Sequence, residues 1–181
     1  MEFTSLAPNG PVLLTPRVHS DERGFFMETF RQNEFETHCG AWLFVQDNHS
    51  KSRAGVLRGM HYQLARPQGK LVRVICGRVY DAAVDMRASS PTFGKSFCAV
   101  LDDENRRMFW VPPGFAHGFL VLSPEAEFVY KCTDYYAPDD EHCLRFDDPA
   151  PGIVWPLPAR QLFISDKDRQ GLSFDGSPKY A

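Results

Sequence analysis

A histidine flanked by basic residues is the first candidate for chemistry in this chain. His61 lies in the segment GVLRGMHYQ, with Arg58 three residues before it and Lys70 nine residues after it. Near neutral pH, imidazole is the side chain best matched to work as a general base. A lone histidine is more often a hydrogen-bonded core residue, so both interpretations stay open here. Strand alternation puts His61 and Arg58 on opposite faces, so a shared site requires a bulge or bend at Gly59.

A second histidine, His117, follows two prolines and a glycine in the segment PPGFAHGF. This PxGxxH spacing resembles the second half-motif of cupins, small β-barrels in which histidines often bind a metal. A catalytic transition metal needs three or four nitrogen or carboxylate ligands, which the first cupin half-motif supplies as His-x-His followed by glutamate. The corresponding residues here are His61, Tyr62 and Gln63. Because the second histidine and the glutamate are missing, we expect no metal site.

Two further segments carry groups that could work together with a base. Strand alternation puts Tyr130 on one face with Phe128 and Cys132. A tyrosine there is usually part of the core, but a phenol, with an ordinary pKa of about 10, could give a proton to carbon without ionising at rest. Asp168, in the segment SDKD, is typical of a solvated loop or helix start unless it folds back to orient His61, as carboxylates do in acid–base dyads.

Two polar segments could bind a ligand. The first, DERGFFME, combines Arg23, Phe26 and Glu28 at short spacing; a guanidinium suits bidentate contacts with phosphate, and an aromatic ring can stack on a base. The second, VQDNHS, offers the amides of Gln46 and Asn48. A polar strand edge explains either segment equally well.

The bulk properties limit the classes of function. The chain has 181 residues, 43% of them apolar, and a formal net charge of −3, so we expect one domain spanning residues 1–181 and no nucleic-acid partner. No apolar run approaches the roughly 20 residues that span a bilayer, and no signal peptide is visible. Five scattered cysteines without a CxxC pair predict reduced thiols in a cytoplasmic protein.

Short runs rich in valine, phenylalanine, isoleucine and tyrosine alternate with glycine, proline and aspartate, which is the pattern of an antiparallel β protein. One helix is predicted at Gln32–Cys39, a tight hairpin around Gly77, and a tail without strands after Asp147, where prolines recur. The number of strands predicts an all-β jelly-roll β-sandwich or barrel with a few short peripheral helices. We predict strands near Val12–Val18, Gly24–Phe30, Leu43–Asn48, Val56–Tyr62, Lys70–Cys76, Arg78–Met86, Lys95–Leu101, Arg106–Val111, Gly118–Leu122 and Glu127–Thr133.

Nine segments in this order resemble the dTDP-4-dehydrorhamnose 3,5-epimerase family. They are RGFFMETF, FVQDNHS, GVLRGMHYQ, QGKLVRV, DAAVDMR, SSPTFGK, WVPPGFAHGFLVLS, AEFVYKCTDYYAPDDE and SDKD, and they run from about Arg17 to Gly171. The resemblance implies a jelly roll of the cupin type that works as a homodimer without metal or other cofactor. It also implies epimerisation of dTDP-4-dehydro-6-deoxy-D-glucose at C3 and C5, in dTDP-L-rhamnose biosynthesis for glycans such as the lipopolysaccharide O-antigen.

Roles for individual residues follow from the same resemblance. The motifs imply His61 as the base, Asp168 as its carboxylate partner, Tyr130 as the acid on the opposite face and Lys70 near the developing charge on O4. Phe26 is expected against the thymine, from the partner subunit's exchanged N-terminal strands. Contacts with the nucleotide sugar are implied for Arg23, Glu28, Gln46, Asn48, Arg58, His117, Glu141 and Lys167.

Three alternatives remain beside the double epimerase. A single-site C3 or C5 epimerase of a deoxysugar pathway shares the His, Lys, Tyr and Asp set, so the sequence separates it poorly. A metal-dependent cupin oxygenase is suggested by PxGxxH alone. A catalytically silent binder of nucleotide sugars is the third.

Overall fold

The computed structural model describes residues 1–181, which form mainly antiparallel strands. The two α-helices are α1 (Gln32–Cys39) and α2 (Asp166–Arg169), and 3-10 turns lie at Pro138–Asp140 and Ala159–Gln161. The strands are β1 (Glu2–Ser5), β2 (Val12–Thr15), β3 (Val18–Asp21), β4 (Gly24–Met27), β5 (Gln46–Arg53), β6 (Val56–Gln63), β7 (Lys70–Cys76), β8 (Arg78–Asp85), β9 (Ser96–Asp102), β10 (Met108–Val111), β11 (Phe115–Val121), β12 (Glu125–Cys132), β13 (Glu141–Cys143) and β14 (Phe163–Ile164).

Two sheets hold most of the strands. The first sheet has the order β1-β2-β10-β7-β12-β5, and the second has the order β13-β6-β11-β8-β9, with β14 also pairing with β6. Apolar side chains from both sheets meet between them, among them Val72 and Phe128 from the first and Val79 and Phe119 from the second. Two sheets packed face to face around such a core form a jelly-roll β-sandwich. The predicted all-β fold class is therefore confirmed.

The outer faces of both sheets are covered by the rest of the chain. Helix α1 buries Phe35 against Leu14 and Trp110 on the first sheet, and full burial of one such ring contributes roughly 1.5–3 kcal/mol. The helix ends at Gly40, whose φ of +94° favours glycine. The C-terminal segment places Phe174 in a second apolar cluster on the outside of the second sheet. Both sheets are thus held by packing on each face.

The β3–β4 hairpin pairs with neither large sheet. Its side chains are unusually open for aromatic residues, since Phe25 is 55% and Phe26 is 72% exposed. The guanidinium of Arg106 lies over the Phe25 ring, 4.1 Å from its centroid.

Neither helix of the chain is long and apolar enough to cross a membrane.

Most predicted elements are confirmed, but several details are wrong. The helix at Gln32–Cys39 and the strand at Lys70–Cys76 have the predicted bounds. The run Val12–Val18 is broken into two strands at Pro16, because proline lacks the N–H that a ladder needs.

The predicted hairpin at Gly77 is wrong, because β7 and β8 belong to different sheets. Gly77, at a φ of +82°, instead turns the chain from one sheet to the other. The tail is also not free of strands, since β14 pairs in parallel with the start of β6.

Candidate active site

A cavity of about 710 Å³ opens between the two sheets. Seven of the residues predicted to act in the site line it: His61, Lys70, Tyr130, Asp168, Arg58, His117 and Lys167. An adjoining recess of about 230 Å³ shares His61, Lys70 and Tyr130 and adds Gln46, Asn48 and Glu141. The fold therefore brings ten of the thirteen predicted site residues to one place.

The other three predicted site residues lie elsewhere. Arg23 and Phe26 are on the β3–β4 hairpin, and Glu28 follows its second strand. They border separate surface depressions of this hairpin region and not the cavity. Within one copy of the chain, these residues do not meet His61.

A bulge in β6 puts His61 and Arg58 on the same side of the strand. In the pairing of β6 with β11, His61 lies opposite His117 and Arg58 lies opposite Phe119. The two pairs are three residues apart on β6 but only two residues apart on β11, so β6 contains one extra residue. Gly59 makes this possible with a φ of +119°, and a Cβ there would come within 2.6 Å of the Gly118 Cα. The bulge or bend that a shared site requires at Gly59 is confirmed.

His61 forms a dyad with Asp168. Its Nε2 lies 2.7 Å from Oδ1 of the carboxylate, and Asp168 is only 3% exposed. The other carboxylate oxygen accepts the backbone N–H of Gly59 at 3.3 Å. Asp168 reaches the ring from the short helix α2, which Ser165 caps. A proton held on Nε2 by Asp168 leaves the lone pair of the neutral ring on Nδ1.

The pKa of Asp168 fits this role. Burial alone would raise the pKa, but the hydrogen bond and charge of His61, together with the Gly59 N–H and Ser165, outweigh burial and lower the pKa below its ordinary value. The carboxylate is therefore ionised at neutral pH. An ionised partner stabilises the imidazolium that forms when His61 takes a proton.

Tyr130 faces His61 from the opposite sheet. It lies on β12, paired with Val72 of β7 on one side and Asn48 of β5 on the other, whereas His61 lies in the second sheet. Burial raises the pKa of the Tyr130 phenol to about 12, with the charge of Arg58 acting in the opposite direction. The phenol therefore keeps its proton at neutral pH and is available as an acid.

Lys70 shares both the cavity and the recess with this pair. It is the first residue of β7 and lines both the cavity and the recess. Burial lowers the pKa of its ammonium group, while the charges of Cys132, Glu141 and Asp81 act to raise it. A partly desolvated cation interacts more strongly with a developing negative charge than the same cation in water.

His117 is held by a carboxylate of its own. Its Nε2 lies 2.9 Å from Oδ1 of Asp81, which is fully buried. Burial raises the pKa of Asp81, and His117 and Lys70 act to lower it. The buried Asp81 thus fixes the ring of the PxGxxH histidine, which lines the cavity.

One group of side chains has its potential metal-ligand atoms close together, namely His61, Cys143 and Asp168, within 4.8 Å of one another. His61 and Asp168 already share a hydrogen bond in this group. Burial raises the pKa of the Cys143 thiol to about 12, so the thiolate that a metal prefers is costly to form. The donor set suits an acid–base dyad better than a metal site.

The predicted binding residues supply polar side chains to the recess, where Gln46, Asn48 and Glu141 lie, and to the main cavity, where Arg58 and Lys167 lie. Gln46 donates from Nε2 to Oδ1 of Asn48 at 3.1 Å, and Nε of Arg58 donates to Ser52 at 3.1 Å. Lys167 donates to Oε2 of Glu141. These contacts leave the guanidinium end of Arg58 without a carboxylate partner, as an anion site requires.

Tyr136, Arg53 and Arg169 are among the lining residues that were not predicted. Tyr136 lies in the recess, where its backbone N–H donates to Gln46 at 2.9 Å and its hydroxyl donates to Glu141 at 2.9 Å. Arg53 and Arg169 line the main cavity. In the sequence, the adjacent pair Tyr135-Tyr136 does not indicate which of the two rings lies in the site. Arg53 and Arg169 lie just outside the segments FVQDNHS and SDKD that resemble the family.

Comparison with known proteins gives a consistent result. The family model described as dTDP-4-dehydrorhamnose 3,5-epimerase matches residues 5–175. The curated protein of that name from Pseudomonas aeruginosa is 53% identical over 175 residues, which cover 96% of each chain.

Two solved structures extend the comparison. The dTDP-6-deoxy-D-glucose-3,5-epimerase from Legionella pneumophila, in complex with dTDP-4-keto-L-rhamnose, is 44% identical with a TM-score of 0.93, covering 99% of this chain and 98% of its own. A 3'-monoepimerase from Streptomyces bikiniensis, in complex with dTDP-quinovose, is 33% identical with a TM-score of 0.84, covering 92% and 84%.

These matches span nearly the whole chain and include the strands and the short helix that carry the dyad, the tyrosine and the lysine. The resemblance seen in the nine sequence segments is thereby confirmed. The chain belongs to the dTDP-4-dehydrorhamnose 3,5-epimerase family.

Proposed function

We propose that this chain is an isomerase that converts dTDP-4-dehydro-6-deoxy-D-glucose to dTDP-4-dehydro-L-rhamnose by inverting C3 and C5. The observation that carries this proposal is the His61–Asp168 dyad facing Tyr130 across one cavity, in a chain of this family. A base on one side of a carbon and an acid on the other is the arrangement that inversion requires. The reaction belongs to dTDP-L-rhamnose biosynthesis.

The substrate's own chemistry determines what the site must do. C3 and C5 both flank the C4 ketone, so loss of either proton gives an enolate with its negative charge on O4. His61 takes the proton through Nδ1 while Asp168 holds Nε2–H. Tyr130 then protonates the carbon from the opposite face, which inverts its configuration. The overall oxidation level does not change, so the balance of the reaction requires no redox cofactor.

Lys70 stabilises the enolate. Lys70 lines the same cavity as His61 and Tyr130, and a cation fixed before the reaction needs no reorganisation when charge forms on O4. Donors aimed at a developing oxyanion typically contribute about 2.7–4 kcal/mol each. Burial disfavours the ammonium charge, so the enolate gains a partner that water screens only weakly.

The nucleotide occupies the recess and the cationic rim of the cavity. Arg58 and Lys167 in the main cavity bind the diphosphate. Gln46 and Asn48 in the recess bind polar groups of the nucleoside, and Glu141 lines the same recess. His117, held by Asp81, lines the cavity and contacts the nucleotide sugar there. Binding energy from the nucleotide, remote from C3 and C5, helps to hold the ring in the reactive position.

The protein acts as a homodimer in which the β3–β4 hairpin of one copy completes the site of the other. Phe26, 72% exposed on this hairpin, stacks on the thymine bound by the partner, with Arg23 and Glu28 contributing polar contacts. The separation of these residues from the cavity of their own chain supports this arrangement. A cytoplasmic location is supported by five free cysteines.

A single-site epimerase is the second candidate, because the Streptomyces monoepimerase shares the fold. The higher identity to a 3,5-epimerase, 53% against 33%, favours double inversion. An oxygenase is not proposed, since the close group of potential metal ligands contains only one histidine and does not include His117.

The test is incubation of the protein with dTDP-4-keto-6-deoxyglucose in D2O, followed by NMR of the product. Double epimerisation inverts both C3 and C5 and leaves a deuteron at each. One deuteron and one inversion would replace the proposal with a single-site epimerase, and an unchanged substrate would overturn it. dTDP-glucose, which has no ketone, serves as the control that must not exchange.

A further inference from the structure

His61 lies between two carboxylates, and only one of them belongs to the dyad. Asp168 binds Nε2, whereas Oε1 of Glu141 lies 3.8 Å from Nδ1 on the other side of the ring. We propose that Glu141 is a proton-relay residue that resets His61 between the two inversions. This role rests on the proposed function and is additional to any contact of Glu141 with the nucleotide sugar.

A reset is required by proton balance. After the first inversion, His61 carries the proton taken from one carbon, and Tyr130 is a phenolate because it gave its proton to that carbon. Neither group is then in the state that the second inversion needs. His61 must lose one proton to water and Tyr130 must gain one from water, so the reset consumes nothing overall.

Asp168 cannot pass the proton on His61 to solvent. Its carboxylate is 3% exposed and bonded to the Gly59 N–H and the His61 ring. A proton passed to Asp168 would stay buried beside the imidazole. It would also remove the charge that orients the ring.

Glu141 has a route to the surface. Its side chain is 10% exposed, but Oε2 accepts hydrogen bonds from Lys167 and from the Tyr136 hydroxyl. The Lys167 side chain is 56% exposed and Tyr136 is 48% exposed. Lys167 and Tyr136 hold Oε2 as donors, so a proton received from Nδ1 sits on Oε1 and passes from there directly to water in the recess that Glu141 lines.

The charge state of Glu141 suits brief acceptance of a proton. Burial would raise its pKa, but Lys167, His61 and Tyr136 outweigh burial and lower the pKa below its ordinary value. Glu141 is therefore ionised when the imidazolium forms, and it releases a proton readily to water. A carboxylate that held the proton firmly would leave the relay blocked.

The test uses Glu141→Gln, which keeps the shape of the side chain but cannot take a proton. In the first turnover in D2O, followed by rapid quench, the rate of the first deuterium incorporation per enzyme should stay within about threefold of the unmodified protein, because His61 begins unprotonated. The second inversion should slow at least tenfold, so that singly inverted sugar becomes the main early product. Both quantities come from NMR and mass spectrometry of quenched samples.

Glu104→Gln is the matched control, since Glu104 is an 84% exposed carboxylate that lines neither the cavity nor the recess. We expect its ratio of singly to doubly inverted product to stay within twofold of the unmodified protein. Equal slowing of both inversions in Glu141→Gln, or the same accumulation in Glu104→Gln, would overturn the relay and leave Glu141 a positioning residue. If the unmodified protein itself gives no inversion, the proposed function fails instead.

Discussion

Replacing Asp168 with asparagine is the most informative single perturbation of the dyad. The asparagine oxygen still accepts the Gly59 N–H that Oδ2 accepts now at 3.3 Å, so local geometry is preserved. The amide nitrogen then faces Nε2 of His61 as a donor. Nε2 must become the acceptor, which moves the ring proton to Nδ1, the nitrogen that we assign as the base.

Two effects set the expected size of the loss. A hydrogen bond to a charged group contributes about 1.5–3 kcal/mol, and each 1.36 kcal/mol is about tenfold in rate. Because the Asp168 side chain is only 5% exposed, solvent screens this interaction little. The wrong tautomer adds to the loss, and the corresponding change in the Ser-His-Asp triad costs about 10⁴-fold in kcat. We expect kcat to fall at least about 100-fold.

The assay follows deuterium incorporation at C3 and C5, with dTDP binding measured by calorimetry to show that the site is intact. Asp166→Asn is the matched control, since Asp166 is an exposed carboxylate on the same helix, and its kcat should stay within twofold. A kcat for Asp168→Asn within fivefold of the unmodified protein would refute the tautomer argument.

Three further predictions concern the acid, the bulge and acid stability. Tyr130→Phe should still wash deuterium into the substrate but give at least 100-fold less inverted product in the NMR assay; loss of both would assign Tyr130 another role. Gly59→Ala should lower the free energy of unfolding by about 2–4 kcal/mol in urea, because its Cβ would lie 2.6 Å from the Gly118 Cα. Gly152→Ala, with nothing within 4 Å, should cost about 1 kcal/mol, and equal losses would contradict the bulge argument. Folding lowers the pKa of Asp168 below its ordinary 3.8. The stability that its ionised form contributes is therefore present above that pH and is lost as the pH falls below it. In urea unfolding between pH 7 and pH 3, the free energy of unfolding should decrease less for Asp168→Asn than for the unmodified protein.

The sequence predicted those parts of the fold that depend on local patterns. The strand at Lys70–Cys76 and the helix at Gln32–Cys39 carry their own periodicity and end signals. The bulge at Gly59 followed from chemistry, since Arg58 and His61 could share a site in no other way. Strands β13 and β14, with three and two residues, are too short for any alternation to be visible.

The site itself needed more than local pattern. His61 and Asp168 are 107 positions apart, and no spacing rule predicts a contact at that distance. Only the family resemblance joined them before the fold was known. Tyr136 was missed because adjacent tyrosines point in different directions, and the side chain that enters the recess depends on how Gln46 and Glu141 hold the loop.

The central claim is that His61 removes the protons at C3 and C5. The most direct test compares His61→Ala with His142→Ala, a histidine that lies against the Tyr62 ring on the neighbouring strand. We measure solvent exchange at both carbons by NMR in D2O, together with dTDP binding. The account predicts that His61→Ala loses exchange at both carbons at least 1,000-fold while dTDP still binds, on the scale of general-base contributions, and that His142→Ala exchanges normally. Exchange in His61→Ala within tenfold of the unmodified protein would contradict it.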